Sequence, residues 1–292
     1  PRSTHALVLD RLIAAGAKVI GFDLLFDTPS SHGKEDDATF AASLRRHADQ
    51  VVLGVQALSI QGPVAGLSLL DLTPALRNAH PSIKRGLLNG RPDLDGVLRR
   101  TPGTTSMDLR QKLGAAVPPG MASALLNTPP ETQNKGISLL APYGPPRTIP
   151  TFSIWELLEP KAYTTLKQSG TFQDAVVLIG PTAAVFQDLH RSVFSGAVGM
   201  PGVEIHATEV ANRLEGRSLQ FFPPIPGWNL ILAALACGLG LALSGMERPL
   251  QRLSVAAIAT VGALFVGVVL VTKAWLVLPI ASIALTILAT GI

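Results

Sequence analysis

The sequence predicts an α/β domain of sheet and helices followed by three transmembrane α-helices. Three observations carry this. Between residues 4 and 58, segments with helical apolar spacing alternate with near-continuous apolar runs, the pattern of an α/β layer architecture. A further run of the same kind, AVVLIG, stands at 175–180. From Trp228 to Ile292 the chain is almost wholly apolar, broken only by MERPLQR at 246–252 and TKAW at 272–275.

Residues 4–15 read as an amphipathic helix with Ala6, Leu9, Leu12 and Ile13 on one face, and Gly16 suits the left-handed position that ends it. Residues 18–26 (KVIGFDLLF) are an apolar run with one acid, as in a strand covered on both faces. A helix follows at 36–48, with Ala41, Leu44 and Ala48 inward, and a second buried strand at 50–58. Residues 61–72 read as a loop. Residues 86–100 combine strand pieces with a turn at Asp93-Leu94-Asp95-Gly96. Short helices are expected at 106–113 and 121–127, a polar loop at 129–135 and a strand at 137–143. Ser153-Ile154-Trp155-Glu156 has the Ser-x-x-Glu form of a capping box, opening a helix to Glu159. Residues 201–216 form a helix whose inward face is expected to be Val203, Ala207, Val210 and Leu214.

The apolar tail divides into runs at about 229–246, 254–272 and 276–292. A helix crosses the hydrocarbon core with about 20 apolar residues, about 17 at the lower limit, so all three qualify. The first connecting loop holds Arg248 and Arg252, the second only Lys273 beside Trp275. The excess of basic residues places the first loop in the cytoplasm. Residues 1–222 then lie outside the cytoplasm, with 223–228, rich in proline, as a stiff coupler to the membrane. The chain opens on Pro1 inside a helical pattern and closes on Ile292 inside an apolar run, so segments are expected before and after it.

A net charge of +4 with scattered Lys and Arg gives no basic face, and nucleic acid is not an expected partner. The single cysteine, Cys237, lies in the first membrane run. The domain therefore has no disulfide, thiolate zinc site or cysteine nucleophile.

Candidate ligand-binding residues are Asp23, Asp93, Asp95, Arg99, Asp188, Glu204 and His206. Asp23 stands in an apolar strand, where a carboxylate needs a partner. It is either a pocket acid at a strand end or a structural carboxylate paired with Arg or backbone N–H groups. Asp93, Asp95 and Arg99 share one turn. Placing Gly96 at the glycine of a calcium loop puts Arg91 first and Pro102 last, so the EF-hand pattern fails, and an Asp-Gly turn tied to Arg99 or Arg100 competes with ligand binding. On a helix, His206 and Glu209 share a face from which Glu204 points away, too few ligands for a metal; Glu204 also suits a helix N-terminus. Gly180-Pro181-Thr182-Ala183 follows a strand but lacks the spacing of a phosphate loop. Asp188, His190 and Arg191 suit a pocket rim or ion pairs. No metal or cofactor is expected, and no catalytic constellation stands out.

The ordered landmarks, KVIGFDLLFDTPS at 18–30, Asp36-Asp37, the VVL strand, Gly86 to Arg99 with Asn89, Asp93, Asp95-Gly96 and Arg99, Tyr143-Gly144-Pro145-Pro146, VVLIGPTAA with Asp188, and MPGVEIHA at 200–207, followed by three closely spaced membrane helices, resemble the type-two CHASE domain associated with cyclases and histidine kinases. The resemblance implies an extracytoplasmic sensor for an unidentified small-molecule or environmental ligand. It implies a preceding membrane helix and first strand, both missing from this chain, and a cytoplasmic adenylate or guanylate cyclase, histidine kinase or Ser/Thr kinase in cis beyond Ile292. Homodimerisation fits such a receptor, though no residue pattern points to it. The competing expectations are a membrane-anchored extracytoplasmic enzyme of hydrolase type, a structural interaction domain, and a transporter subunit. The last is disfavoured because the membrane runs hold no ionisable residue.

Overall fold

The computed structural model describes residues 1–60, 66–114, 117–130, 138–196, 198–217, 219–221, 228–277, 284 and 287. The chain divides into two compact units, one of 1–132 with 140–216 and one of 133–139 with 217–292.

The first unit is built on the parallel strands β1 (Val19–Leu25), β2 (Val51–Ile60), β4 (Lys84–Leu87) and β6 (Val176–Ile179). β2 lies between β1 and β4, and β1 pairs on its other side with β6. The far half of β2 pairs antiparallel with β3 (Gly66–Leu70). β3 falls in the stretch expected to be a loop, where residues 61–65 lie outside the described ones.

Alternation along β1 divides the core between the two faces of the sheet. Ile20 and Phe22 join Val51, Leu53 and Val55 beneath α1 (Arg2–Ala14), α2 (Lys34–Arg46) and α3 (Pro74–Arg77). Val19 and Val52 join Met121, Ala122 and Leu125 of α5 (Met121–Leu126) and Val210 of α8 (Gly202–Leu214). On the first face Phe22, Phe26, Phe40 and the half-buried His5 form an aromatic cluster with centroids 5.2 to 6.1 Å apart. Burial among these rings pushes the His5 imidazole below its ordinary range.

α1 has no capping side chain of its own. The buried Asp36 carboxylate supplies one from α2, accepting from the N–H groups of Arg2 (2.6 Å) and Ser3 (2.8 Å) and from Ser30 Oγ (2.6 Å). The Ser30 bond, then those of the two N–H groups, holds this carboxyl well below the usual range. Gly16, at φ +92°, ends α1 as expected.

α4 (Pro102–Leu113) begins four residues before the helix expected at 106. The capping box at Ser153 and Glu156 is formed and opens α6 (Ile154–Leu158). α7 (Pro160–Gln168), absent from the sequence expectation, follows and buries none of its residues.

α8 turns a different face inward from the one its apolar spacing predicts. Of the residues expected inward Val210 is buried, but Leu214 is exposed and Val203 and Ala207 are only half-buried, whereas Glu204, Ile205, His206, Thr208, Glu209 and Asn212 are buried. Each inward polar side chain has a partner that accounts for its position. Glu204 accepts from Arg147 N (2.9 Å). Glu209 accepts from Arg213 (2.7 Å) and, at the start of α4, from Gly103 N (3.2 Å). Asn212 both accepts from and donates to the backbone of Ala141 (2.8 and 2.9 Å).

The second unit contains a small sheet and two helices. Its central strand, β9 (Leu219–Phe221), pairs antiparallel with β5 (Ser138–Leu139) and parallel with β10 (Leu276–Val277). β5 is shorter than the strand expected at 137–143, whose Ile137 lies outside the described residues. α9 (Trp228–Ser244) and α10 (Pro249–Ala274) form a hairpin in which Leu243 and Met246 pack with Ala256, Ala259 and Ile287. β9 leads into this hairpin and β10 leaves it, so its entrance and exit lie at the same end.

Among the described residues one helix, α10, is long and apolar enough to cross a membrane, where three were expected. Its 26 residues span about 39 Å at 1.5 Å each. Only 11% of its most apolar window is buried, unlike the core helix of a soluble domain. α9, with 17 residues, is at the lower limit of length. The third run opens not as a helix but as β10, because Trp275 takes a left-handed φ of +54° that ends α10 and turns the chain onto β9. Beyond Val277 only Ala284 and Ile287 are described, and the coupler prolines at 223, 224 and 226 and the polar loop from 131 lie outside the described residues.

Candidate functional site

β1 continues to β2 through α2, and β2 to β4, on one side. The chain then returns to add β6 on the opposite side of β1. In open α/β sheets such a reversal leaves a crevice at the carboxyl ends of the strands, where ligands bind. Asp23 stands at this point. The β1–β2 register shifts between Phe22 and Leu25, an irregularity of the kind that re-aims a side chain.

Three segments meet above Asp23. The end of β4 and the start of α4 bring Leu88, Gly90, Leu98 and Pro102. The hairpin of β7 (Leu189–His190) and β8 (Met200–Pro201) brings Asp188 and His190. The first turns of α8 bring Gly202, Ile205 and His206. Together they line a cleft of about 250 Å³, counting its open mouth. Gly202 is required by the close approach of Asp188: a Cβ there would stand 2.5 Å from Asp188 Oδ2. The Asp188 carboxylate thus sits against the first turn of a 13-residue helix, where the helix dipole favours negative charge.

The polar groups of the cleft are arranged in two layers. His206 forms the inner one, and Asp23, outside the lining, stands behind it, with side chains 4% and 7% exposed and Nε2 of His206 4.0 Å from Asp23 Oδ1. That nitrogen also lies 3.3 Å from the Leu88 carbonyl oxygen. Asp23 Oδ2 and His206 Nδ1 are buried without a hydrogen-bond partner. In the outer layer His190 Nε2 meets Asp188 Oδ1 at 2.9 Å.

Burial pushes the Asp23 carboxyl up; the His206 imidazole opposes this, Asp188 adds to it, and His190 opposes it. The hydrogen bond to Asp188 pushes the His190 imidazole up against the opposing effect of burial. A His whose folded pKa exceeds its unfolded value stabilises the fold fully below the unfolded value, and that contribution is lost as pH rises through the folded one. His190 is therefore expected to titrate above 6.5 in an NMR titration of its ring protons, and Asp188→Asn to bring it back toward 6.5. An unchanged midpoint in the variant would remove Asp188 as the cause.

The predicted residues thus separate. Asp23, Asp188 and His206 come together. His190, read from the sequence as rim or ion pair, completes the group, and its Asp-x-His spacing on a two-residue strand was the available signal. Asp93, Asp95 and Arg99 form a different feature, a closed turn. Arg99 binds both Asp95 oxygens (2.9 and 2.7 Å) and Asp93 (3.1 Å), while Arg100 holds Asp93 at 3.2 Å. Arg99 holds the Asp95 carboxyl down to about 2. These charges are engaged with one another, as the Asp-Gly turn reading expected. Glu204, occupied by Arg147 N, lies outside the cleft lining. Arg191 is exposed, and its backbone carbonyl accepts from Leu98 N.

A second cleft of about 290 Å³ adjoins the first through Leu98 and Ile205 and is mainly apolar, with Leu140, Pro142, Val193 and Met200 in its wall. Among the described residues, no group of three or more His, Cys, Asp and Glu side chains is placed to share a metal ion.

Comparison with curated proteins and with solved structures finds no match. The family model of the CHASE2 domain matches residues 1–243, which takes in the whole sheet, the cleft and almost all of α9. This chain belongs to the CHASE2 domain family, whose members are sensory extracellular domains of signalling receptors.

Proposed function

We propose that this chain is the input module of a multi-pass transmembrane receptor. Residues 1–222 read a small-molecule or environmental ligand outside the cytoplasm, and the cleft over Asp23 receives it. Membrane helices at about 229–246 and 254–272, with the apolar run that follows β10, pass the signal to a cytoplasmic cyclase, histidine kinase or Ser/Thr kinase in cis, and the receptor acts as a homodimer. The observation that carries this reading is the cleft at the strand-order reversal of a CHASE2 domain, lined by Asp188, His190 and His206. The adjoining of β9 and β10 supports the membrane arrangement, since the entrance and exit of the α9–α10 hairpin share a side and the Arg248–Arg252 loop takes the other. A hydrolytic reading gains nothing from the cleft, because the Asp188–His190 pair faces no hydroxyl or thiol among its lining residues.

The mechanism is a shift in population between two arrangements, biased by a ligand that prefers one. The topology is tested by labelling single cysteines in a Cys237→Ser background with a membrane-impermeant maleimide on intact cells. Lys34→Cys, on the exposed start of α2, is expected to react. Glu247→Cys is expected to react only after permeabilisation. The opposite pattern overturns the orientation.

A further inference from the structure

We propose that the start of α1 is an acid-sensitive latch: protonation of His5 releases the first two turns of this helix from α2 and from the end of β1. The latch is independent of the cleft and stands or falls on its own test.

The surroundings of His5 suit the neutral ring and oppose the charged one. The ring is half-buried on α1. It meets Phe22 and Phe26, at the end of β1, edge to face at 5.9 and 5.6 Å, and Phe40 of α2 at 6.1 Å. Its Nδ1 is buried with no hydrogen-bond partner among the described residues. A neutral ring can leave that nitrogen as a bare lone pair, whereas a protonated ring must carry an N–H there. Protonation thus creates an unmet buried donor and sets a charge among aromatic rings. A cation is stabilised over a ring face, but Arg2 already lies over Phe26, 5.6 Å from its centroid.

The neighbouring charges do not offset this. The Pro1 amino group and Arg2, on the same helix, oppose a further positive charge, and Asp36 of α2 favours one. Asp36 is already engaged by Arg2 N, Ser3 N and Ser30 Oγ. Asp37, beside it, accepts from the Arg2 guanidinium and from Ser30 N. Burial leads the balance and pushes the His5 imidazole down.

The same contacts hold the helix start in place. Arg2 ties it to Asp37 of α2 and to the Thr28 carbonyl beyond β1, and His5 inserts one turn later into the rings that α2 and β1 share. Expelling His5 therefore lifts the start of α1 from both elements together, while the fully buried Leu9 and Leu12 keep the second half on the sheet.

The sign follows from linkage. A His whose folded pKa lies below its unfolded value stabilises the fold above the unfolded value, and the contribution is lost as pH falls toward the folded one. Asp23 and His190 are shifted upward, so protonating them favours the fold and does not produce this loss. Asp36, held well below the usual carboxylate range, stays ionised throughout.

Amide hydrogen exchange of the 1–292 chain in nanodiscs, corrected for the pH dependence of the chemical step, reads the latch. Between about pH 7.5 and about pH 5, on either side of the ordinary His value, the amides of residues 5–8 are expected to lose protection while those of residues 52–55 in β2 keep theirs. His5→Phe keeps a ring in the cluster that does not titrate, and should protect α1 equally at both pH values. His5→Gln, a smaller neutral side chain, should also be flat with pH, at lower protection. In the unsubstituted chain the His5 ring resonances should move with the α1 amides at one midpoint, below 6.5. Protection retained at about pH 5, an equal loss in the neutral variants, or a His5 midpoint separate from that of the amides overturns the latch and leaves the cleft reading untouched.

Discussion

Phe40→Ala is expected to destabilise the first unit by about 3–5 kcal/mol, the range for removing a fully buried aromatic side chain. Phe40 is 0% exposed and reaches from α2 into the ring cluster, 5.5 Å from Phe22 and 5.2 Å from Phe26. Its removal takes away apolar burial and ring-edge contacts together and leaves a cavity between α2 and β1. Neighbouring rings are held by the sheet and by α1, so they cannot collapse into the space without moving the backbone. Leu94→Ala is the control, because Leu94 stands fully in solvent at the tip of the Asp-Gly turn and should change stability by less than about 0.5 kcal/mol. Denaturant unfolding of both variants checks the contrast. Similar losses in the two would mean that the ring cluster is not where this unit is held together. Because Phe22 immediately precedes Asp23, the same cluster fixes the end of β1 at the base of the cleft.

The sheet was legible because its strands are buried on both faces and so read as continuous apolar runs. The runs at 18–26, 50–58 and 175–180 fall within two residues of β1, β2 and β6 at each end. What was missed lacks that signature. α7 buries no residue fully, and its inward stripe is only Tyr163 and Leu166, half-buried against the core. β3 is a single short antiparallel addition to β2, too slight to give a pattern distinct from loop. The inward face of α8 was misread for the opposite reason. Apolar spacing assumes that polar groups face water, yet this helix buries Glu204, His206, Glu209 and Asn212 against backbone and side-chain partners that come from distant segments.

The same logic decides what could be read of the cleft. Asp23 was conspicuous because an acid in a buried strand needs a reason. That His190 and His206 would approach it could not be read, since they lie far along the chain and their placement depends on the strand-order reversal. The turn at 93–99 was the converse case, since its charges are close in sequence and satisfy each other locally. In the tail, apolar length measured the capacity of each run to be a helix, but not the left-handed turn at Trp275 that starts the third as a strand.

Asn212→Ala is expected to cost about 3 kcal/mol or more. Its side chain does the work of a neighbouring strand: Oδ1 accepts from Ala141 N at 2.8 Å and Nδ2 donates to Ala141 O at 2.9 Å. Asn212 and Ala141 are 5% and 3% exposed, so water cannot replace either bond without entering the core. Each buried polar group left unmet costs about 1–3 kcal/mol, and alanine leaves two. Asn212→Asp separates the two bonds. Its carboxylate still accepts from Ala141 N but, when ionised, faces the Ala141 carbonyl without a proton to donate. This variant should be destabilised at neutral pH and recover as acid protonates the side chain, the reverse of the usual acid sensitivity of a stabilising carboxylate. Asn89, which pairs in the same way with Ala57 at 2.7 and 2.9 Å, is only half-buried, so Asn89→Ala should cost less. Denaturant midpoints for the three variants read the order directly. A loss for Asn212→Ala no larger than for Asn89→Ala would mean that solvent reaches Ala141, and that this asparagine does not tie α8 to the segment leading out of β5.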